Sequence, residues 1–231
     1  MNIALAAYET RNRDLTFNLR QIERGLRETQ GKADLLCFGE AFLQGFDALC
    51  WDFARDKAVA VSTDSEVFRR LAAWTVRYGV DLLFGYLERE GEAIYSSCAV
   101  IASGRLVHNY HRISEGWREP WADEHYREGD GVSAFRYRDR ELTIALCGDL
   151  WTYPERFRTD GLLIWPIYVT FDLEAEAAAY AKQAALAAKC ALLVNPLSGD
   201  PVSHGGAFFF QEGQIVKRLP FDAEGMLIVE V

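Results

Sequence analysis

Four polar residues each follow a short apolar run: Glu40 after Leu35-Leu36-Cys37-Phe38, Arg112 after the run through Tyr110, Cys147 after Leu142-Thr143-Ile144-Ala145-Leu146, and Asn195 after Ala191-Leu192-Leu193-Val194. In sheets with parallel central strands the carboxyl ends gather at one edge, and ligands bind there. A carboxylate, a cation and a thiol at such an edge have a chemical logic. The carboxylate of Glu40 takes the thiol proton, and the thiolate of Cys147 attacks a carbonyl or nitrile carbon. Arg112 and the N–H of Gly148 stabilise the charge that develops on the substrate heteroatom. The protonated carboxylate then serves the leaving amine, and water repeats the cycle on the thioester. A nucleophile of this kind is expected to be alkylated ahead of the four other cysteines. Taken singly, each residue has a plainer role: a lone Cys at a strand end packs, and a lone Glu after a strand is a solvated charge. Only convergence makes them a site.

The elements that must position them read as strands and helices in alternation. Residues 2–8 form a short apolar strand. Residues 15–29 follow as a helix, with Leu15, Leu19, Ile22 and Leu26 at spacings of three and four, Asp14 as its cap and Gly31 as its stop. Residues 33–38 are almost wholly apolar, as suits a strand covered on both faces. Residues 41–62 are aromatic-rich and irregular. Residues 65–78 form a second helix with a stripe of Val67, Leu71, Trp74 and Val76, ended by Gly79. Strands at 81–87 and 93–102, and a third through Leu106 and Val107 to Tyr110, have no helix between them, so part of this sheet is antiparallel. A Trp-rich polar loop runs on to Gly131, long enough to expect function of it. A hairpin at 135–137 and 142–146 delivers Cys147, and Gly148 lets the chain turn tightly behind it. Pro154-Glu155 suits a helix start. A strand at 161–166, an Ala-rich helix at 173–189, and strands at 191–195, 207–211, 214–219 and 226–231 complete the chain.

The 231 residues are half apolar and carry a net charge of −9. That balance argues against a nucleic-acid surface and against anionic lipid. No apolar run approaches a membrane span, and the start lacks a basic signal segment, so a cytoplasmic protein is expected. Five widely spaced cysteines without a C-x-x-C pair, and four scattered histidines, suggest neither a disulfide framework nor a metal site.

Three ordered stretches resemble signatures of the nitrilase superfamily of carbon–nitrogen hydrolases. Leu35-Leu-Cys-Phe-Gly-Glu40-Ala-Phe-Leu-Gln-Gly45-Phe46 is similar to the first, with Gly39 where the family has Pro. Gly104-Arg-Leu-Val-His-Asn-Tyr110-His-Arg112 is similar to the second, with Arg112 where the family has its catalytic Lys. Ile144-Ala-Leu-Cys147-Gly-Asp149 through Pro154-Glu155 is similar to the third, with one residue more before the Pro. The resemblance spans residues 1–231 as a single carbon–nitrogen hydrolase domain. It implies a four-layer α-β-β-α sandwich of two mixed sheets, a triad of Glu40, Arg112 and Cys147, and a second glutamate for which Glu124 is the best match, with Glu119 behind it. It implies a small amide or carbamoyl substrate, no cofactor, and a homodimer paired through outer helices. Gly148, Trp117, Trp151 and Trp165 are the expected substrate-binding residues. The function implied is hydrolysis of non-peptide C–N bonds of the amidase or carbamoyl-amine type through a thioester. The alternative is a non-hydrolytic protein of the same fold that binds a ligand or partner.

Overall fold

The computed structural model describes residues 1–231. In its first half the chain forms β1 (Asn2–Ala7), α1 (Leu15–Thr29), β2 (Leu35–Cys37), α2 (Phe53–Asp56), α3 (Glu66–Tyr78), β3 (Asp81–Glu90), β4 (Ala93–Ala102) and β5 (Arg105–His111). There follow β6 (Phe135–Tyr137), β7 (Arg140–Ile144), α4 (Asp149–Thr152), β8 (Thr159–Pro166), α5 (Leu173–Ala185), β9 (Ala188–Val194), β10 (Leu197–Gly199), β11 (Val202–His204), β12 (Ala207–Gln211), β13 (Gln214–Arg218) and β14 (Gly225–Glu230). Single 3₁₀ turns occupy Phe46–Ala48 and Pro154–Phe157. No helix is long and apolar enough to cross a membrane.

The strands make two six-stranded sheets, ordered β14-β1-β2-β3-β4-β5 and β13-β12-β9-β8-β7-β6. Each has three parallel strands at its centre, β1-β2-β3 in one and β7-β8-β9 in the other, flanked by antiparallel neighbours. Alternation along the strands divides the core. Ile3, Leu5, Leu35, Cys37 and Leu83 point between the sheets, as Ile144, Ile164 and Leu192 do from the other side, while Trp165 turns outward onto Tyr180. Ala4, Ala6, Leu36, Leu82 and Phe84 point outward under Leu19, Ile22 and Leu26 of α1 and Phe68, Leu71 and Trp74 of α3. The helix α5 covers the second sheet with Leu173, Ala177 and Tyr180. The α-β-β-α sandwich expected from the sequence is thus the observed architecture.

The helix ends follow local chemistry. Asp14 accepts from the N–H of Phe17 at 2.9 Å, and Ser65 caps α3 through the N–H of Phe68. Gly79 ends α3 at φ +64°, where a side chain is strained. Two expectations need correction. Val76 is 65% exposed, because it falls five positions after Leu71, on the far side of the helix; the buried stripe runs instead through Phe68, Leu71, Trp74, Thr75 and Tyr78. The Ala-rich helix stops at Ala185 rather than 189. After a turn at 186–187 the chain is claimed as β9 by pairing with β8 and β12, which overrides the helix preference of alanine.

Candidate active site

Glu40 lies three residues beyond β2, at the lip where the parallel strands end. Its segment fits because two positions lack side chains. A Cβ at residue 39 would lie 2.5 Å from Cδ of Pro196, and a Cβ at residue 85 would lie 2.5–2.6 Å from the backbone of residues 39–41. Gly85 N–H donates to the Gly39 carbonyl at 3.1 Å. Sequence reasoning passed over Gly85, although a lone Gly inside a strand is the usual sign of such close approach. The Glu40 side chain is fully buried. Its Oε1 accepts from Ser96 Oγ and from Arg112 Nη1, both at 2.9 Å. Its Oε2 is buried without any hydrogen-bond partner. A buried carboxylate oxygen left unpaired costs free energy unless something comes to meet it.

Cys147 stands near that carboxylate. It follows β7 at φ +39°, a left-handed conformation that costs roughly 1–3 kcal/mol for a residue other than glycine. The elbow is clamped from three sides. Its own N–H donates to the Pro166 carbonyl at 3.0 Å, its carbonyl accepts from Trp165 Nε1 at 2.9 Å, and Sγ lies 3.7 Å from the Tyr168 carbonyl. Burial, then the Glu40 carboxylate, push the thiol up to about 12, against the lowering pull of Arg112. The resting sulfur is therefore a neutral thiol at pH 7 that needs a base at the moment of attack. Gly148 N–H finds no protein acceptor and is free to donate.

Arg112 is 4% exposed, and each guanidinium nitrogen is used: Nη1 on Glu40, Nε on Ser114 Oγ and Nη2 on the Glu115 carbonyl, all at 2.9 Å. Burial works to lower its pKa, but Glu40, Cys147 and Asp149 outweigh it and hold the guanidinium charged. A Cβ on Gly148 would fall 2.6 Å from Nη2, so the glycine makes room for the longer cation.

Asp149 ties the cation to the thiol, a role that the motif alone did not reveal. Its Oδ1 accepts from the N–H groups of Ile113 and Ser114, and its Oδ2 from Leu146 N–H and Tyr110 Oη, at 2.7–3.1 Å. The chain after β5 and the elbow after β7 thus share one buried carboxylate. Asn195 works similarly from β9. It accepts from Val169 N–H at 3.0 Å and donates to Ser203 Oγ and the Gly205 carbonyl, fixing the loop after β8.

Two cavities meet at Cys147. One, of about 390 Å³, is lined by Arg112, Asp47, Phe46, Gly116, Tyr168 and Thr170 among others. The other, of about 640 Å³, is lined by Gly148, Trp151, Phe171, Asp172, Glu176 and Tyr180 among others. Cys147, Val169 and Phe171 line both.

The structure thus brings Glu40, Arg112 and Cys147 together, with Gly148 and Trp151 on a cavity wall. It does not bring the rest. Trp165 is fully buried behind the elbow and positions the Cys147 carbonyl rather than lining a cavity. Trp117 is buried in a satellite core with Trp51, Leu87, Ile94 and Tyr126. Glu124 is exposed and lines neither cavity; its carbonyl accepts from Arg127 Nε in a surface turn. Glu119 comes nearer: burial pushes the Asp47 carboxyl up, and Asp200 and Glu119 add repulsion. Nothing in the spacing distinguished these loop residues, since a loop has no periodicity to give its side chains a direction.

The carbon-nitrogen hydrolase family matches residues 2–231. No curated protein matches the chain. Among solved structures, a mutant of the amidase from Nesterenkonia sp. AN1, with acrylamide added at its active site cysteine, is similar at 20% identity and a TM-score of 0.82, over 100% of this chain and 93% of that one. A CN-hydrolase superfamily protein from Xanthomonas campestris, with an arsenic adduct in its active site, is 18% identical at a TM-score of 0.81, over 99% and 89%. The glutamine-dependent NAD+ synthetase from Acinetobacter baumannii is 17% identical at 0.77, and there this chain covers 98% of itself but 44% of the synthetase. At these identities the structural likenesses speak for the fold, and the family match over nearly the whole sequence assigns the chain: it belongs to the carbon-nitrogen hydrolase family.

Proposed function

We propose that this chain hydrolyses a non-peptide C–N bond of a small amide or carbamoyl amine, with Cys147 as nucleophile, Glu40 as base and then acid, and Arg112 as electrostatic partner. The observation that carries this reading is the bare Oε2 of Glu40 beside a thiol held neutral at rest. A substrate carbonyl seats against Sγ. Glu40 takes the thiol proton as sulfur bonds to the carbonyl carbon, and the oxygen becomes an oxyanion facing the Gly148 N–H and the Arg112 guanidinium. The C–N bond breaks as Glu40 returns the proton to nitrogen, leaving a thioester and an amine. Water, deprotonated by Glu40, attacks the thioester; the acid departs and the thiol regains its proton.

One observation favours the non-hydrolytic alternative: all three guanidinium nitrogens of Arg112 already have protein acceptors. They nevertheless carry five N–H groups between them, so donors are left for an oxyanion. The test is a panel of amides and carbamoyl amines with wild type and Cys147→Ala, read by amine release and by intact mass. Turnover lost in the variant, with an acyl adduct on the wild-type chain, is the expected result. Turnover that persists in Cys147→Ala removes the nucleophile from this scheme. A homodimer and a cytoplasmic setting complete the proposal.

A further inference from the structure

The larger of the two cavities beside the thiol carries charge of one sign. It is walled by three aromatic rings, Trp151, Phe171 and Tyr180, and by two exposed carboxylates, Asp172 and Glu176. No lysine, arginine or histidine lines it. The Trp151 and Tyr180 rings meet edge to face with centroids 5.1 Å apart, and Phe171 lies 6.5 Å from Tyr180. Tyr180 lines this cavity together with Cys147 and Glu176. The smaller cavity has Asp47, and its one cation, Arg112, is held by Glu40.

A cleft lined by one sign of charge focuses the field and concentrates the opposite ion. Aromatic faces add attraction for an ammonium or guanidinium that they do not offer an alkyl chain. The N-terminus of α5 points its positive end here and would by itself favour an anion. That end is already answered by Asp172, whose carboxylate accepts from Ala175 N–H at 3.1 Å, and by Glu174 and Glu176 in the first turn. The second oxygen of Asp172 and the whole Glu176 carboxylate are then open to a ligand.

We infer that the larger cavity receives a positively charged end of the substrate, so that the preferred substrates are amides or carbamoyl amines bearing an ammonium or guanidinium group. This rests on the hydrolase reading above. The test compares kcat/KM for an aminoalkyl amide, its uncharged alkyl isostere and its carboxyalkyl analogue, at low and high salt. The cationic amide is expected to lead the isostere by about tenfold, with the anionic one last and the lead shrinking as salt rises. In the Asp172→Asn, Glu176→Gln double variant, which keeps an N-cap side chain, the lead should fall toward unity. Titration calorimetry with an alkylammonium against the matching alkanol reads the same contrast without turnover. Equal or better use of the neutral or anionic amide, or a cationic preference untouched by both substitutions, would overturn this inference and leave the hydrolase reading intact. Absence of turnover and of any Cys147 adduct, with the alkylammonium still bound preferentially, would instead sink the hydrolase reading while upholding the cation site.

Discussion

Arg112 makes three bonds to three different acceptors, and a lysine has one nitrogen with which to replace them. In Arg112→Lys the ammonium can keep Glu40, but Ser114 Oγ and the Glu115 carbonyl lose their donor. We expect a stability loss of roughly 1–3 kcal/mol, read by urea denaturation, together with a change in kcat, because the oxyanion now faces a shorter and more mobile cation. An unchanged midpoint would mean that those two bonds are not held in solution. The thiol makes a second prediction at this scale. With Cys147 pushed up to about 12, iodoacetamide should react slowly with it at pH 7 and faster by about tenfold per pH unit above that. Folding stability follows with a definite sign. The folded state favours the protonated thiol, so this contribution is complete below the ordinary thiol range near 9 and is lost as pH rises from there through about 12. Cys37 and Cys98, buried and also raised, add to the same alkaline loss. Rapid alkylation of Cys147 at neutral pH would contradict the arrangement described.

Between elements, the decisive piece is the Asp149 carboxylate, which faces four donors and no acceptor. Asp149→Asn is nearly isosteric, yet it turns one acceptor oxygen into a donor that points at another donor. We expect a cost of about 2–4 kcal/mol from buried groups left unpaired, and a loss of activity beyond it, because the end of β5 and the elbow after β7 are no longer joined. Thermal melts and kcat on the same sample check this; an Asn variant as stable and active as wild type would show that the bridge is dispensable. Elements such as these were largely legible in advance. Asp14 and Gly79 marked helix ends by their chemistry, and the strands of both sheets showed in apolar alternation or continuous apolar runs. The short strands β10 and β11 and the turns of residues 41–62 did not show, since three-residue pieces are fixed by what they pack against. The convergence of Glu40, Arg112 and Cys147 could be read because strand ends are points that topology gathers. Glu124, expected as a second glutamate of the site, and Trp117 and Trp165, expected against the substrate, line neither cavity, because burial and direction of loop and strand-end side chains depend on contacts distant in sequence.

The two sheets are not covered alike. The first has both α1 and α3 on its outer face, while the second has α5 with the one-turn α4. Apolar groups remain exposed where α5 ends: Leu186 at 54%, with Ile215 at 37% and Val216 at 47% on the neighbouring edge strand β13. The turn between β12 and β13 lies against the end of α5, since a Cβ on Gly213 would lie 3.3 Å from Ala185 Cβ, so these exposed groups share one edge of the molecule. Exposed apolar groups gathered at one place mark a surface that gains by association, and a two-fold pairing lets one patch serve both copies. Light scattering at micromolar concentration should therefore give twice the 26.2 kDa chain mass, and a Leu186→Glu, Val216→Glu double variant should shift it toward the single chain, because each interface would then bury four new carboxylates across the axis. A wild-type monomer at that concentration, or a variant that stays dimeric, would place the contact elsewhere.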